Sequence, residues 1–441
     1  MTLVEKPLSM KIWGWGKYPV ITSKTFAPRS EEGIRTPLGK GFNGIPRAFG
    51  RSYGDSSLAE ENINTFGMGK ILSFNEETGL LHCQAGFSLE DILEFAVPKG
   101  WFLPVTPGTK HVSLGGAIAS DVHGKNHHVE GCFSEHVKEL RLMLADGSVA
   151  PCSPSEHREL FLATCGGMGL TGVILDAKIQ LKPIKSSMIQ ENIYKARNLD
   201  EILDFFETYE SFTYSVAWID CLSTGKKLGR SLLMIGEHAE EGGLDVHPDP
   251  KLVVPFEMPS FLLNRLSISA FNNLYYNKVL KKVTKHVVHY EPFFYPLDGI
   301  RNWNRMYGKN GFTQYQFVVP KKTGRESMRK ILERIAKSKK GSFLAVLKAF
   351  GKGNENYLSF PMEGYTLALD FKLEKGLFPL LDELDEIVLE YGGRVYLTKD
   401  VRMSEQVFKA SYPNWKKFME IRKKFSADKA FNSLQSKRLG L

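Results

Sequence analysis

The sequence predicts an α+β protein, with a first domain of about 185 residues and a second of different pattern. Between residues 71 and 181, strand pairs closed by tight turns feed single helices; from about residue 187, period-two strands alternate with longer amphipathic helices. The chain is long enough for both, since 42% of its 441 residues are apolar and 12% aromatic, enough to fill a core in each.

The elements follow in order. ILSFNEETGLLHCQAG (71–86) reads as two strands around an Asn-Glu-Glu-Thr-Gly turn, and SLEDILEFAVPKG (88–100) as a helix capped by Ser88 with Asp91 closing a capping box. HVKELRLMLADGSVAPCS (136–153) predicts a hairpin turning at Asp146-Gly147. Ser153-Pro154-Ser155-Glu156 should then open a helix that closes at Gly166-Gly167. VILDAKIQL (173–181) alternates, which puts Val173, Leu175, Ala177, Ile179 and Leu181 on one strand face. Beyond residue 187, SVAWIDCL, TQYQFVVP and YTLALDFKL read as strands, and GRESMRKILERIAKS and FPLLDELDEIVLEYG as helices. The stretch from Arg394 onward is aromatic and charged, and pattern alone leaves its docking open.

Charge and cysteines exclude several classes. A net charge of +9 suits an anionic partner, but the basic residues are spread out and no nucleic-acid-binding motif occurs, so no nucleic acid is expected. Five cysteines with no CxxC pair suggest neither a disulfide framework nor a zinc site, which fits a reducing compartment. The N-terminus lacks a signal-peptide pattern, and no apolar run approaches the roughly 18 residues of a membrane span. A cytoplasmic protein is expected, with peripheral contact at the inner face of the membrane.

Two stretches match GxGxxG, Gly39/Gly41/Gly44 and Gly167/Gly169/Gly172, yet neither follows a strand and opens a helix, as a dinucleotide fingerprint must. A different pair of loops, IPRAFGRSYGDSSL (45–58) and VTPGTKHVSLGGAIASDVHGKNHH (105–128), has bare backbone able to cradle one long anionic ligand. Tight turns are the plainer reading of those glycines. His123, His127 and His128 lack metal-ligand spacing and an acidic partner, so no metal is expected; His123 and Lys125 instead sit beside the cradle.

Four stretches in this order, PRAFGRSYGDSS, PGTKHVSLGGAIASDVHGKNHH, ELFLATCGGMGLTGVIL and GGRVYLTKDVRM, closely resemble the vanillyl-alcohol-oxidase-type FAD oxidoreductases, and among them the branch that oxidises a polyprenylphosphoryl ribose. The similarity spans nearly the whole chain. It implies an FAD-binding domain of PCMH type made from residues 1–186 and 394–441, with a substrate domain on an antiparallel sheet over 187–393. The cofactor-binding residues implied are Pro46, Arg47, Ala48, Phe49, Gly50, Arg51, Ser52, Tyr53, Gly54, Asp55 and Ser56 in the first loop. Gly108, Ser113, Leu114, Gly115, Gly116, Ser120, Asp121, Val122 and His123 belong to the second, and Ile174 and Tyr396 complete the pocket. Many relatives tether FAD through a histidine in the first loop or a cysteine in the second. Arg51 stands at the first place and no cysteine lies between Cys83 and Cys132, so non-covalent FAD is expected.

The implied reaction is oxidation of the 2′-hydroxyl of a polyprenylphosphoryl-β-D-ribofuranose to the keto sugar. Loss of a proton and a hydride needs a proton acceptor and positive charge near the alkoxide. The motif match assigns Lys399 and His123 as catalytic, Lys399 orienting the hydroxyl and stabilising charge. Gln314 and Gln316, two apart on a strand, share a face that suits a polyol. Trp218 and Lys348 match other substrate positions, Thr366 shares their pocket face on its strand, and Lys125 beside His123 suits a phosphate contact; singly, the tryptophan reads as core and the lysine as solvated. The resemblance also implies an NAD(P)H-dependent short-chain reductase as partner, completing epimerisation to the arabinose form used in the cell wall, and a quinone or oxygen as electron acceptor.

Two positions depart from that branch. Ala368 replaces the cysteine at which nitroaromatic inhibitors are trapped covalently, so such trapping should fail, and Thr366 replaces an asparagine. Residues 253–299 are apolar and aromatic with Lys278, Lys281, Lys282, Lys285 and His286 clustered late, which suits a lipid phosphate at a bilayer as well as ordinary helix packing. A soluble aldonolactone or alditol oxidase, or an inactive flavin- or lipid-binding protein, is the alternative; neither has use for both the segment and the retained site residues.

Overall fold

The computed structural model describes residues 6–247 and 252–441; residues 1–5 and 248–251 lie outside the description. Among the described residues three larger sheets carry the chain, beside two short strand pairs. The first is mixed, formed by Leu8–Trp13 (β1), Val20–Phe26 (β2), Ile45–Arg47 (β3) and Glu61–Asn64 (β4) in the order β1-β2-β4-β3. The second is antiparallel, from Ile71–Asn75 (β5), Leu80–Gln84 (β6), Val137–Met143 (β7), Val149–Cys152 (β8) and Val173–Gln180 (β9), in the order β5-β6-β9-β7-β8.

Local signals act where they were read. Asn75 Oδ1 accepts from the backbone N–H groups of Glu77 and Thr78 to close the β5–β6 turn. Ser88 and Asp91 form a complete capping box on the Leu89–Ala96 helix. Two expectations fail. The helix after β8 begins at Arg158, because Ser153 Oγ instead accepts from Ser155 and Glu156 N–H and holds a separate turn. On β9 the register against β7 slips between Ile174 and Asp176, so Val173 and Leu175 join one core with Phe42 and Phe431 while Ile174, Ala177 and Ile179 join another. A bulge switches faces, and strict alternation cannot show it.

The third sheet is wholly antiparallel: Met188–Ala196 (β10), Tyr214–Ile219 (β11), Ser231–His238 (β12), Val283–His289 (β13), Phe312–Pro320 (β14), Ala345–Phe350 (β15), Gly364–Lys372 (β16) and Arg394–Val395 (β17), ordered β13-β10-β12-β11-β15-β16-β14-β17. Helices Leu199–Thr208, Gly324–Ser338 and Leu377–Glu390 bury their apolar stripes with Phe317, Leu347 and Leu367, which leaves the opposite face free to line a cavity.

After β17 the chain reaches back to the first two sheets. Gly44 bridges Phe431, Leu434 N–H donates to Leu58 O, and the fully buried Arg422 donates to Leu170 O and Phe431 O. Arg438 pairs with Asp55 at 2.8 Å and Asp400 at 2.9 Å.

Candidate active site

A cavity of about 1310 Å³ runs between the two glycine loops and the free face of the third sheet. Along the first loop it is lined by Pro46 to Tyr53 and by Ser56. Arg47 shapes that loop, donating to Ser57 O and Trp13 O, and Gly50 (φ +62°) lies so close that a Cβ would stand 2.0 Å from the Arg47 guanidinium. Along the second loop the cavity meets Gly108, Ser113, Gly115, Gly116, Ser120, Val122 and His123, with Ile174 and Tyr396 beside them. A Cβ on Gly108 would meet no protein atom within 4 Å.

Four residues expected at the cofactor lie off the cavity. Gly54 is pressed against the chain's return, a Cβ there lying 1.8 Å from Asp400 O. Asp55 turns away to pair with Arg438. Leu114 is fully buried in the core below its helix. Asp121 is also fully buried, and its carboxylate accepts from Asn354, Asn356 and Ser359 side chains and from Ser134 N–H. Each carboxylate has a distant protein partner that takes the place of a ligand.

The free sheet face supplies the rest. Register sets Gln316 opposite Ala368, Ala368 opposite Val346, Val346 opposite Trp218, and Lys348 opposite Thr366, all lining the cavity. His123 approaches this row from the second loop, its Nε2 2.9 Å from Gln316 Nε2, and packs among Phe350, Phe360 and Tyr396. Gln314 donates to Asp370 Oδ1 at 2.6 Å. Lys399 Nζ stands 3.9 Å from the centroid of the Tyr53 ring. Tyr396 O–H donates to Ser120 O at 3.0 Å. Trp218 does double duty, packing with Leu232 and Tyr276 and donating to Phe343 O at 3.1 Å. Lys125 reaches Phe293, its Nζ donating to the carbonyl and lying 4.4 Å from the ring centroid. His127 and His128 stay apart from this cavity: His127 packs on Phe350, and His128 Nε2 lies 2.8 Å from Phe212 O.

Burial dominates the electrostatics. It lowers Lys399 to about 7, against the pull of Asp370 and with help from Lys348. Asp370 is raised to about 7 by the same burial, opposed by the Gln314 hydrogen bond and by Lys399. Lys348 falls to about 8 through burial, and Lys125 to about 7 through burial and then Lys348. His123 is held well below its ordinary value by burial, then by Lys348, His127 and Lys399. The cavity thus holds amines able to gain a proton near neutrality beside an imidazole kept neutral.

Sequence reasoning missed several residues here. Trp15 lines the cavity, and Arg51 stacks over it with 4.2 Å to the centroid. The WGWG stretch was a legible signal: Cβ atoms on Gly14 and Gly16 would fall 2.6 Å from Gly54 O and 2.3 Å from Phe312 O, so the stretch must lie flat against both units. Glu191, Ile193 and Met234 line the far end, where Ile268, Phe271 and Tyr275 of the Arg265–Asn277 helix close the wall.

Residues 34–153 match the family model described as an FAD binding domain. The chain is 36% identical to the decaprenylphosphoryl-beta-D-ribose oxidase of Mycolicibacterium smegmatis over 100% of both chains. The chain belongs to that oxidase family. A Streptomyces coelicolor relative, named only as an uncharacterized protein in the mprA 5' region, is 32% identical over 80% of this chain and 100% of its own. The L-gulono-1,4-lactone dehydrogenase of Mycobacterium tuberculosis is more distant, at 21% over 89% of this chain and 90% of its own.

The residues present fit the cofactor of the family. Gly108 offers bare backbone to open space, Gly115 and Gly116 follow it along the same wall, and the first loop faces them across one continuous cavity. The chain is an FAD-dependent oxidoreductase of PCMH-type α+β fold.

Proposed function

We propose that this oxidoreductase converts the 2′-hydroxyl of a polyprenylphosphoryl-β-D-ribofuranose to the 2′-keto sugar, with FAD held non-covalently. Residues 1–186 and 394–441 form the FAD-binding unit and 187–393 the substrate-binding unit. The observation that carries the reading is one cavity lined by both glycine loops, by Lys399, His123, Gln316 and Lys348, and by the apolar wall of the Arg265–Asn277 helix. A polar, cationic centre opening onto an apolar wall matches a sugar on a lipid phosphate.

FAD, when bound, supplies the two-electron oxidant that takes the hydride from the carbinol carbon. Lys399 orients the hydroxyl, accepts its proton as a neutral amine, and as the resulting ammonium offsets charge beside Asp370. Gln314 and Gln316, whose amide nitrogens are held by Asp370 and by His123 and Thr366, present their amide oxygens to the sugar, Trp218 walls it, and Lys125 and Lys348 lie on the phosphate side. Arg51 occupies the first-loop tether position, stacked on Trp15, and no cysteine among the described residues lines the cavity, which supports non-covalent retention. An NAD(P)H-dependent short-chain reductase consumes the keto product, and a quinone or oxygen accepts the electrons.

The lipid end of the substrate places the work at a membrane surface. No described helix is long and apolar enough to cross a membrane. Instead Phe256, Phe261, Leu266, Leu274, Leu280, Val283 and Val287 are exposed on the same stretch of chain as exposed Lys278, Lys281, Lys282 and Lys285. An apolar patch with a basic rim suits peripheral contact with anionic lipid.

The test is an anaerobic visible spectrum of the purified protein before and after addition of a short-chain polyprenylphosphoryl-β-D-ribofuranose. Bleaching of the flavin band is the expected result. A flavin that stays oxidised overturns the substrate assignment, and acid precipitation that leaves flavin on the protein overturns non-covalent binding.

A further inference from the structure

Thr366 lines the cavity, yet its hydroxyl is committed inside the protein: Oγ1–H donates to Phe317 O at 2.8 Å. With its hydrogen so placed, Oγ1 acts toward Gln316 as an acceptor, and Gln316 Nε2 donates to it at 3.3 Å. The same amide nitrogen stands 2.9 Å from His123 Nε2. An amide NH2 has no lone pair to offer, so His123 Nε2 is the acceptor and the neutral ring must carry its proton on Nδ1. Turning the amide over would either set its oxygen against the Thr366 lone pairs or, if the hydroxyl swung round to donate to it, give up the bond to Phe317. Nδ1 is buried and has no hydrogen-bond partner among the described residues, although the ring lines the cavity.

We propose that Thr366 is a positioning residue that, through Gln316, locks His123 as the Nδ1–H tautomer, so that Nε2 stays hydrogen-bonded to Gln316, Nδ1 keeps its own hydrogen, and the ring does not take the hydroxyl proton. That refines the assignment of His123 and Lys399 within the proposed reaction, on which its functional consequence rests. The surroundings agree: burial first, then Lys348, His127 and Lys399, disfavours a second proton on His123, and Lys399 remains a group able to accept one.

The test reads the tautomer directly. Holoenzyme labelled with [15N]histidine, with His123 assigned by loss of its signals in His123→Asn, should show N–H at Nδ1 and a bare Nε2 between about pH 6 and 8. Thr366→Val should introduce the Nε2–H form, and Thr366→Ser should restore the Nδ1–H form. If Thr366→Val does not fold, Gln316→Glu puts an acceptor oxygen opposite Nε2 and should impose the Nε2–H form. An Nε2–H or doubly protonated His123 in the wild type, or an unchanged tautomer in the folded variants, overturns the proposal. Failure of the ribose substrate to bleach the flavin leaves this tautomer result standing, so the two readings fail separately.

Discussion

Lys399 Nζ lies 3.9 Å from the ring centroid of Tyr53, joining the returning chain to the first glycine loop over the cavity. The amine is thereby held against an aromatic face, where burial works against its charge, and Asp370 supplies the opposing pull. Its protonation state is the variable on which the proposed reaction turns.

If neutral Lys399 accepts the hydroxyl proton, kcat/KM rises with pH through about 7, since the acceptor form appears as the ammonium loses its proton. The apparent midpoint belongs to Lys399 and Asp370 together. Asp370→Asn removes the group that raises Lys399 and should move the midpoint down. Lys399→Arg keeps the charge but abolishes the acceptor, and should cost about 10²- to 10³-fold in kcat with FAD retained. An arginine variant with near-normal turnover would show that charge alone suffices.

Arg438 holds two nearly buried carboxylates, Asp55 in the first loop and Asp400 beside Lys399. Arg438→Met leaves both without this cation, a loss of about 3–5 kcal/mol in unfolding free energy. Denaturant titration should register it together with weaker FAD retention, because the loop between Pro46 and Ser56 loses its anchor. A loss below about 1 kcal/mol would mean that solvent or other donors replace the guanidinium.

What the sequence made legible was local. The Ser88–Asp91 capping box and the Asp146-Gly147 hairpin depend on neighbours within a few residues, and pattern finds such neighbours. What escaped depends on distant partners. Asp55 and Asp121 look ligand-facing on glycine loops, but Arg438 and the Asn354–Ser359 segment, more than 200 positions away, turn them inward. The face switch at Leu175 follows from how β9 meets β7, and the cavity wall near Phe271 from how one helix crosses a sheet face; neither leaves a periodic trace.

Two glycines separate cofactor space from packing. Gly108→Ala places a methyl group where no protein atom stands, so the fold should be unchanged while FAD affinity falls as cavity is lost. Gly54→Ala drives a methyl into Asp400 O and should cost about 1–3 kcal/mol of stability. Thermal melts of the two variants, with flavin content measured alongside, check the contrast. Gly108→Ala melting as low as Gly54→Ala would show that the open space is not free.

The exposed apolar rim carries the last prediction. Leu274 and Leu280 are 72% and 90% exposed on the segment that also bears Lys278, Lys281, Lys282 and Lys285, and Phe271 and Tyr275 of the same helix line the cavity. A bilayer that receives these leucines would bring the lipid-linked sugar to the cavity mouth without extracting its whole chain into water. Burying two leucines is worth about 3 kcal/mol, so Leu274→Asp with Leu280→Asp should weaken binding to vesicles containing anionic lipid roughly 100-fold. KM for a long-chain substrate presented in those vesicles should rise, while kcat on a short-chain, soluble analogue and flavin content stay unchanged. High salt should weaken wild-type vesicle binding through the lysines, and the remaining salt-resistant part should vanish in the double variant. Unaltered vesicle binding by the double variant would leave the rim with no membrane role.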